Sequence, residues 1–179
     1  MHRVVIAGWG PKYIKGTLNI VDALHMEQGI VHVSPDDHLR LNKDVTISGG
    51  HEESFVDGAL TVNGTGYKFF PVGKNGTYAP IEFLNVRGEP AMYSVEVFED
   101  APSVTVDNVI VRRALYWHRK DLYGNFGGSS VSLGFNRSDY QDPSKVVVVT
   151  GTTWDDPFTM ISDIQLSAED YKFSTAQTI

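Results

Sequence analysis

Apolar and β-branched residues alternate with polar ones along nearly every segment of this chain, and no apolar stripe at i, i+3, i+4, i+7 persists beyond about two turns. The pattern predicts strands throughout. The best helical stretch is Thr17 to Met26, yet Gly16 and Gly29 bracket it and Leu18-Asn19-Ile20 alternates, which suits a strand at least as well.

From Gly16 to Val62 the apolar positions come as short pairs between glycine and polar turns: Leu18 and Ile20, Ile30 and Val31, Leu39 and Leu41, Val45 and Ile47, Leu60 and Val62. Steps of roughly 8 to 13 residues between pairs fit either short sandwich strands or the rungs of a small β-solenoid. The spacing alone leaves both open.

A denser region follows, with strands predicted at Tyr67 to Val72, Tyr78 to Val86, Met92 to Phe98, Val104 to Val111, Ala114 to His118 and Val131 to Phe135. Others fall at Lys145 to Val149, Met160 to Leu166 and Tyr171 to Ser174. Gly, Pro, Asn and Asp separate nearly all of them, and Asn75-Gly76 and Asn63-Gly64 are hairpin signals because both residue types tolerate positive φ. Val146 to Val149, the most apolar run, is predicted to be buried on both faces. The expected fold is all-β: an antiparallel β-sandwich or jelly-roll-like domain over 51–179, after an N-terminal β-rich extension over 1–50 that is solenoid-like or supplies the first strands.

Composition narrows the function classes more than the fold. The 179 residues suffice for one domain with its own core. A net charge of −7 argues against nucleic acid, since phosphate neutralisation needs clustered Lys and Arg. The absence of cysteine removes disulfides, thiolate nucleophiles and Cys-based zinc sites. No apolar run approaches the ~20 residues that span a bilayer as a helix, so direct membrane insertion is not expected. Met1 to Gly10 holds a short apolar stretch without the pattern of a signal peptide.

The residues offer little chemistry. The carboxylate pairs Glu52/Glu53, Glu96/Glu99 and Asp155/Asp156 are neighbours in sequence, whereas glycoside hydrolysis needs two carboxylates held across a cleft. The histidines, among them His25, His32 and His38, lack any metal-binding helical spacing. No nucleophile elbow or phosphate loop is present, so no catalytic residue is assigned and the chain is read as a non-enzyme. Two binding readings remain. Trp154, Tyr123 and Tyr140 are the candidate stacking platform for a glycan. Asp139 with Asp142, and Asp155 with Asp156, are the candidate ligands of a structural calcium, no other cofactor being expected.

Two segments carry a resemblance. Ser54-Phe55-Val56-Asp57-Gly58 followed by Phe69-Phe70-Pro71-Val72-Gly73-Lys74-Asn75-Gly76-Thr77-Tyr78-Ala79-Pro80 resembles a β-rich module of large Bacteroidota cell-surface proteins. Ala114-Leu115-Tyr116-Trp117, Ser130 to Phe135 and Tyr171-Lys172-Phe173-Ser174 are similar to later strands of the same module. The resemblance implies export by the type IX secretion route, an extracellular or cell-surface location, and a place within a larger polypeptide. The function expected with it is that of a structural or adhesive module; the aromatic candidates leave a carbohydrate-binding module of an extracellular glycan-active protein as the alternative. Expected partners are neighbouring domains of the same polypeptide, other surface proteins and, on the alternative, glycans.

Elementary chemistry gives the second segment a structural role. Pro71 and Pro80 lack a ladder donor and belong at strand ends. Gly73 and Gly76 are expected to give the turn its backbone freedom, with Phe70 and Tyr78 packing as aromatic anchors across the pair.

Overall fold

The computed structural model describes residues 2–99, 104–106, 109–111, 115–134, 147–152, 158–161, 164–167, 172–175 and 178–179. Every regular element among them is a strand, as the alternation predicts.

The first nine strands wind as three rungs of a three-sided parallel coil. Rung one is β1 (Arg3–Ile6), β2 (Lys12–Tyr13) and β3 (Thr17–Ile20); rung two is β4 (Ala23–Met26), β5 (Val31–His32) and β6 (His38–Leu41). Rung three is β7 (Thr46–Gly49), β8 (Val56–Asp57) and β9 (Leu60–Asn63). Each strand pairs in parallel with its counterpart in the next rung, so β1-β4-β7 is a three-stranded sheet. Thr17 to Met26, the best helical stretch of the sequence, is two strands joined at a corner.

The coil stays in register because the same side of each strand repeats as apolar. Leu18, Leu39 and Leu60 are mutual partners, as are Ile20, Leu41 and Val62. On the next face Val31, Val56 and Val72 stack. All of these but Leu18 are buried. Each such side chain contributes on the order of 1.5 to 3 kcal/mol through burial. A slip by one residue would turn the whole column to solvent. Corners need residues without Cβ where rungs touch. At Gly49 (φ 77°) a Cβ would lie 2.1 Å from the Met26 carbonyl oxygen, and at Gly58 (φ 129°) 2.2 Å from that of Val33.

After rung three the coil becomes a sandwich. The strands β10 (Gly66–Phe70), β11 (Val72–Lys74), β12 (Thr77–Tyr78), β13 (Ile81–Val86) and β14 (Met92–Glu99) follow in turn. Val104–Val106 (β15) and Val109–Val111 (β16) form a small antiparallel pair. Next come β17 (Leu115–Tyr123), β18 (Val131–Gly134), β19 (Val149–Thr150), β20 (Thr159–Met160), β21 (Ile164–Ser167) and β22 (Lys172–Thr175).

The join is a continuous sheet. Strand β9 pairs in parallel with β6 on one side and antiparallel with β14 on the other, giving the order β17-β14-β9-β6-β3. One face of the coil is thereby also one layer of the sandwich. The facing layer is β10-β13-β18-β22-β21. Between the layers Phe70, Phe83, Tyr93 and Phe126 form an aromatic cluster with ring centroids 5.2 to 6.0 Å apart. The Trp117 indole N–H crosses between the layers to the Ala79 carbonyl at 2.8 Å.

Two local expectations need correction. Asn63-Gly64 does not close a hairpin, since β9 and β10 belong to different sheets; with Gly64 at φ 101° it is a corner where the chain leaves the coil. The described part of the apolar run, Val147 to Val149, is half-buried rather than covered on both faces; among the described residues β19 pairs with β20 alone.

Candidate functional site

The two motif segments lie together where the coil meets the sandwich, and most of their residues are spent on packing. Phe55 is fully buried, its ring 6.0 Å from Tyr78. The Val56 N–H donates to the Pro71 carbonyl at 2.8 Å, locking one segment to the other. Pro71 falls between β10 and β11 and Pro80 between β12 and β13, at strand ends where the missing donor costs nothing.

Lys74-Asn75-Gly76-Thr77 is a two-residue hairpin, with Lys74 opposite Thr77, Asn75 at φ 47° and Gly76 at φ 88°. Two details differ from the sequence expectation. Gly73 is needed for closeness and not for turning: a Cβ there would lie 2.3 Å from the Thr77 carbonyl and 2.8 Å from the Phe55 ring. Phe70 and Tyr78 do not pack on each other. Pro71 ends one strand between them, so Phe70 enters the aromatic cluster while Tyr78 stands on Phe55.

What packing leaves over is an outward row of side chains crossing the second face of the coil. Tyr13, His32 and Asp57 are successive partners along β2, β5 and β8, and the row ends at the buried Gly73 of β11. The Tyr13 ring lies flat on His32, centroids 5.2 Å apart and planes 22° apart. His32 Nδ1 is 3.7 Å from Asp57 Oδ2, and Lys74 Nζ is 3.2 Å from Asp57 Oδ1. Asp57 Oδ2 also accepts from the Asn75 N–H at 3.3 Å.

Lys74 extends the row onto β14. Its ammonium is 3.6 Å from Glu96 Oε1 and 5.8 Å from the centre of the Phe98 ring, which stacks on Tyr116 at 5.2 Å. The Asn75 side chain donates to Glu99 at 2.6 Å. Sequence reasoning missed this row because its members are 16 to 25 positions apart along the chain; the signal that could have found them is the rung repeat, which the apolar pairs only suggested.

The sequence candidates are dispersed. Tyr123 is exposed at the end of β17, opposite Met92. Trp154, Tyr140, Asp139, Asp142, Asp155 and Asp156 lie outside the described residues. Among the described residues no group of three or more His, Asp or Glu is placed to hold a metal ion. His25 bonds Ser48 at 2.7 Å and His51 bonds the Glu27 carbonyl at 2.9 Å, away from His32. No helix among the described residues is long and apolar enough to cross a membrane.

Two further polar features sit at the coil's margins. Lys12 occupies the core-facing column above Val31, and its ammonium turns back to the carbonyls of Gly8, Trp9 and Gly10 at 2.9, 3.2 and 2.8 Å. A groove of about 250 Å³ opens where β10 parts from β7, lined by Ile47, Val62, Tyr67 and Lys68. Burial, and then the neighbouring Glu82 carboxylate, push the Tyr67 phenol up to about 12. Burial lowers the Lys68 amine, against an opposing pull from Asp44. Lys68 donates to the Lys43 carbonyl at 2.8 Å.

Comparison with protein-family models, with curated proteins and with solved structures gives no match for this chain.

Proposed function

We propose that this chain is a non-catalytic structural or adhesive module of a secreted bacterial cell-surface protein, a stiff joint between a parallel coil and a sandwich. The observation that carries the reading is the continuous sheet β17-β14-β9-β6-β3. A hinge between two units would show as a linker with few hydrogen bonds across it. Here β9 is bonded on both sides, so bending at the join costs ladder hydrogen bonds. The motif residues support the same reading, since they tie the third rung to the strands that follow it: Phe55 stands on Tyr78, and Val56 pairs with Val72 and donates to the Pro71 carbonyl.

The surface location rests on the resemblance of the two motif segments to the Bacteroidota module. Protease shaving of intact source cells, with mass spectrometry of the released peptides, tests it. The expected result is release of peptides from this chain before any cytoplasmic marker; retention until lysis would sink the assignment. Partners on this reading are neighbouring domains and other surface proteins.

A further inference from the structure

We infer that the groove between β7 and β10 is the docking site of an extended acidic peptide segment, taken from a partner chain as one added strand on the open edge of β7. Peptide docking is independent of the surface location, and either can fail alone.

Each strand of the third rung pairs with its counterpart in the second, and two of the three are also paired on the far side: β8 takes β11 and β9 takes β14. Among the described residues β7 takes none. The Thr46 N–H reaches the Asp22 carbonyl and the Gly50 N–H the Met26 carbonyl, both at 3.1 Å, so by alternation the backbone groups of Ile47 point to the open side. An edge left this way is a template for one more strand. A second coil does not fit, because β11 and β14 already hold the places that its other two faces would need.

The side chains beneath the edge match a strand better than a small molecule. Val4, Leu24 and Ile47 form one column, in which Leu24 is buried between its neighbours while Ile47 ends half-exposed over the groove. The groove's 250 Å³ falls below the roughly 300 to 1,000 Å³ of small-molecule pockets, and Ile47, Val62 and Phe69 in its wall suit one aliphatic side chain. Paired residues share a face of a sheet, so that side chain belongs to the peptide residue opposite Ile47.

Charge selects the peptide. Lys68 stands in the groove wall and its ammonium donates to the Lys43 carbonyl at 2.8 Å. Asp44, the carboxylate that acts on it, is exposed and also lies 3.8 Å from the Lys43 ammonium. Two ammonium groups thus share one carboxylate at this end of the groove. A carboxylate on the peptide would complete the set with a charge-assisted hydrogen bond, and a basic segment would be repelled.

Fluorescence anisotropy of the intact chain with labelled, end-blocked peptides tests the proposal. Three peptides share a Thr-Leu-Thr-Val-Thr core and end in Asp-Glu, Asn-Gln or Lys-Lys; a fourth has the acidic end and proline for the central threonine. The acidic peptide should bind about tenfold tighter than the neutral one, with the basic one weakest and the proline one unbound. Lys68→Met, with an unchanged thermal melt, should cut the acidic preference below about threefold and keep binding of the neutral peptide. Hydrogen exchange on the unmodified protein gives a readout that needs no variant: the acidic peptide should slow exchange at Ile47 and Gly49. No binding by any peptide, equal binding of the acidic peptide and its neutral or proline counterpart, an acidic preference that survives in folded Lys68→Met, or protection that spares β7, overturns the proposal.

Discussion

The parallel coil and the antiparallel sandwich share a sheet but fill their interiors differently. Inside the coil the columns are aliphatic: Leu39 over Leu60, Leu41 over Val62, Val31 over Val56 over Val72. Inside the sandwich the fill is centred on an aromatic cluster, with Phe70, Phe83, Tyr93 and Phe126 in tilted and edge-to-face contact among aliphatic neighbours such as Val95 and Val131. The cause is the distance to be filled. Rungs stack at strand spacing, where branched aliphatic side chains touch their own kind directly above and below. Two facing sheets stand about 10 Å apart and need longer side chains to meet in the middle. Val95 and Leu60, partners across the join, lie where one regime passes into the other.

The largest expected effects come from emptying each interior. Phe83→Ala should cost about 3 to 5 kcal/mol and Leu39→Ala about 2 to 5, through lost transfer energy and residual cavity. The contrast lies in how the loss is distributed. Because β9 and β14 are bonded neighbours, both variants should unfold in a single transition by urea denaturation followed with circular dichroism and fluorescence. Two separated transitions in Phe83→Ala, with the coil persisting, would show that the shared sheet does not couple the halves.

A smaller effect, confined to the coil, is expected from Gly58→Ala. The residue sits at φ 129° with a Cβ position 2.2 Å from the Val33 carbonyl oxygen. Backbone strain of this kind costs about 1 to 3 kcal/mol where the structure holds its conformation. Gly76→Ala is the control, since its φ of 88° is also positive but nothing lies within 4 Å of its Cβ position. The difference in denaturation midpoint between the two isolates the rung contact from the conformational strain.

The same contrast explains what could be read from the sequence. Leu18, Leu39 and Leu60 recur at one constant step, and the apolar pairs built on them are β3, β6 and β9. That face was legible. The first two faces were not, because their corners differ in length: Ala23 faces Arg3 and Thr46, and Val31 faces Lys12 and Val56, at unequal steps. A lysine standing in an apolar column, as Lys12 does, hides the repeat further. Asn75-Gly76 was legible because a two-residue turn is a local event. The Tyr13-His32-Asp57 row was not, because its register depends on three corners at once.

Alkaline pH should probe the sandwich side and the groove together. The Tyr67 phenol is raised from 10.0 to about 12, and burial raises Tyr78 and Tyr93 as well. A folded-state pKa above the unfolded one gives stability that is complete below pH 10.0 and is lost as pH rises toward about 12. The lowered Lys68 acts in the opposite direction, since its unfavourable buried charge is relieved on deprotonation. With three phenols against one amine, the melting temperature should fall across this window. A flat profile would mean that the phenols ionise as readily in the folded chain as in the unfolded one.

The smallest effect is expected at Tyr93, and its sign is the informative part. The ring is fully buried among Phe70, Phe83 and Phe126, while its hydroxyl has no hydrogen-bond partner among the described residues. A buried hydroxyl without a partner has lost its water and gained nothing in return. Tyr93→Phe keeps the ring and removes that cost, so the variant should match the parent or exceed it by about 0.5 to 1 kcal/mol. Arg119, whose guanidinium lies 3.9 Å from the Phe126 ring centre and pairs with Asp121, marks where the cluster meets solvent. Should Tyr93→Phe lose more than about 1 kcal/mol in urea denaturation, the hydroxyl must be bonded to water entering beside Arg119. The sandwich would then hold a wet margin where the coil, closed by aliphatic columns, is dry.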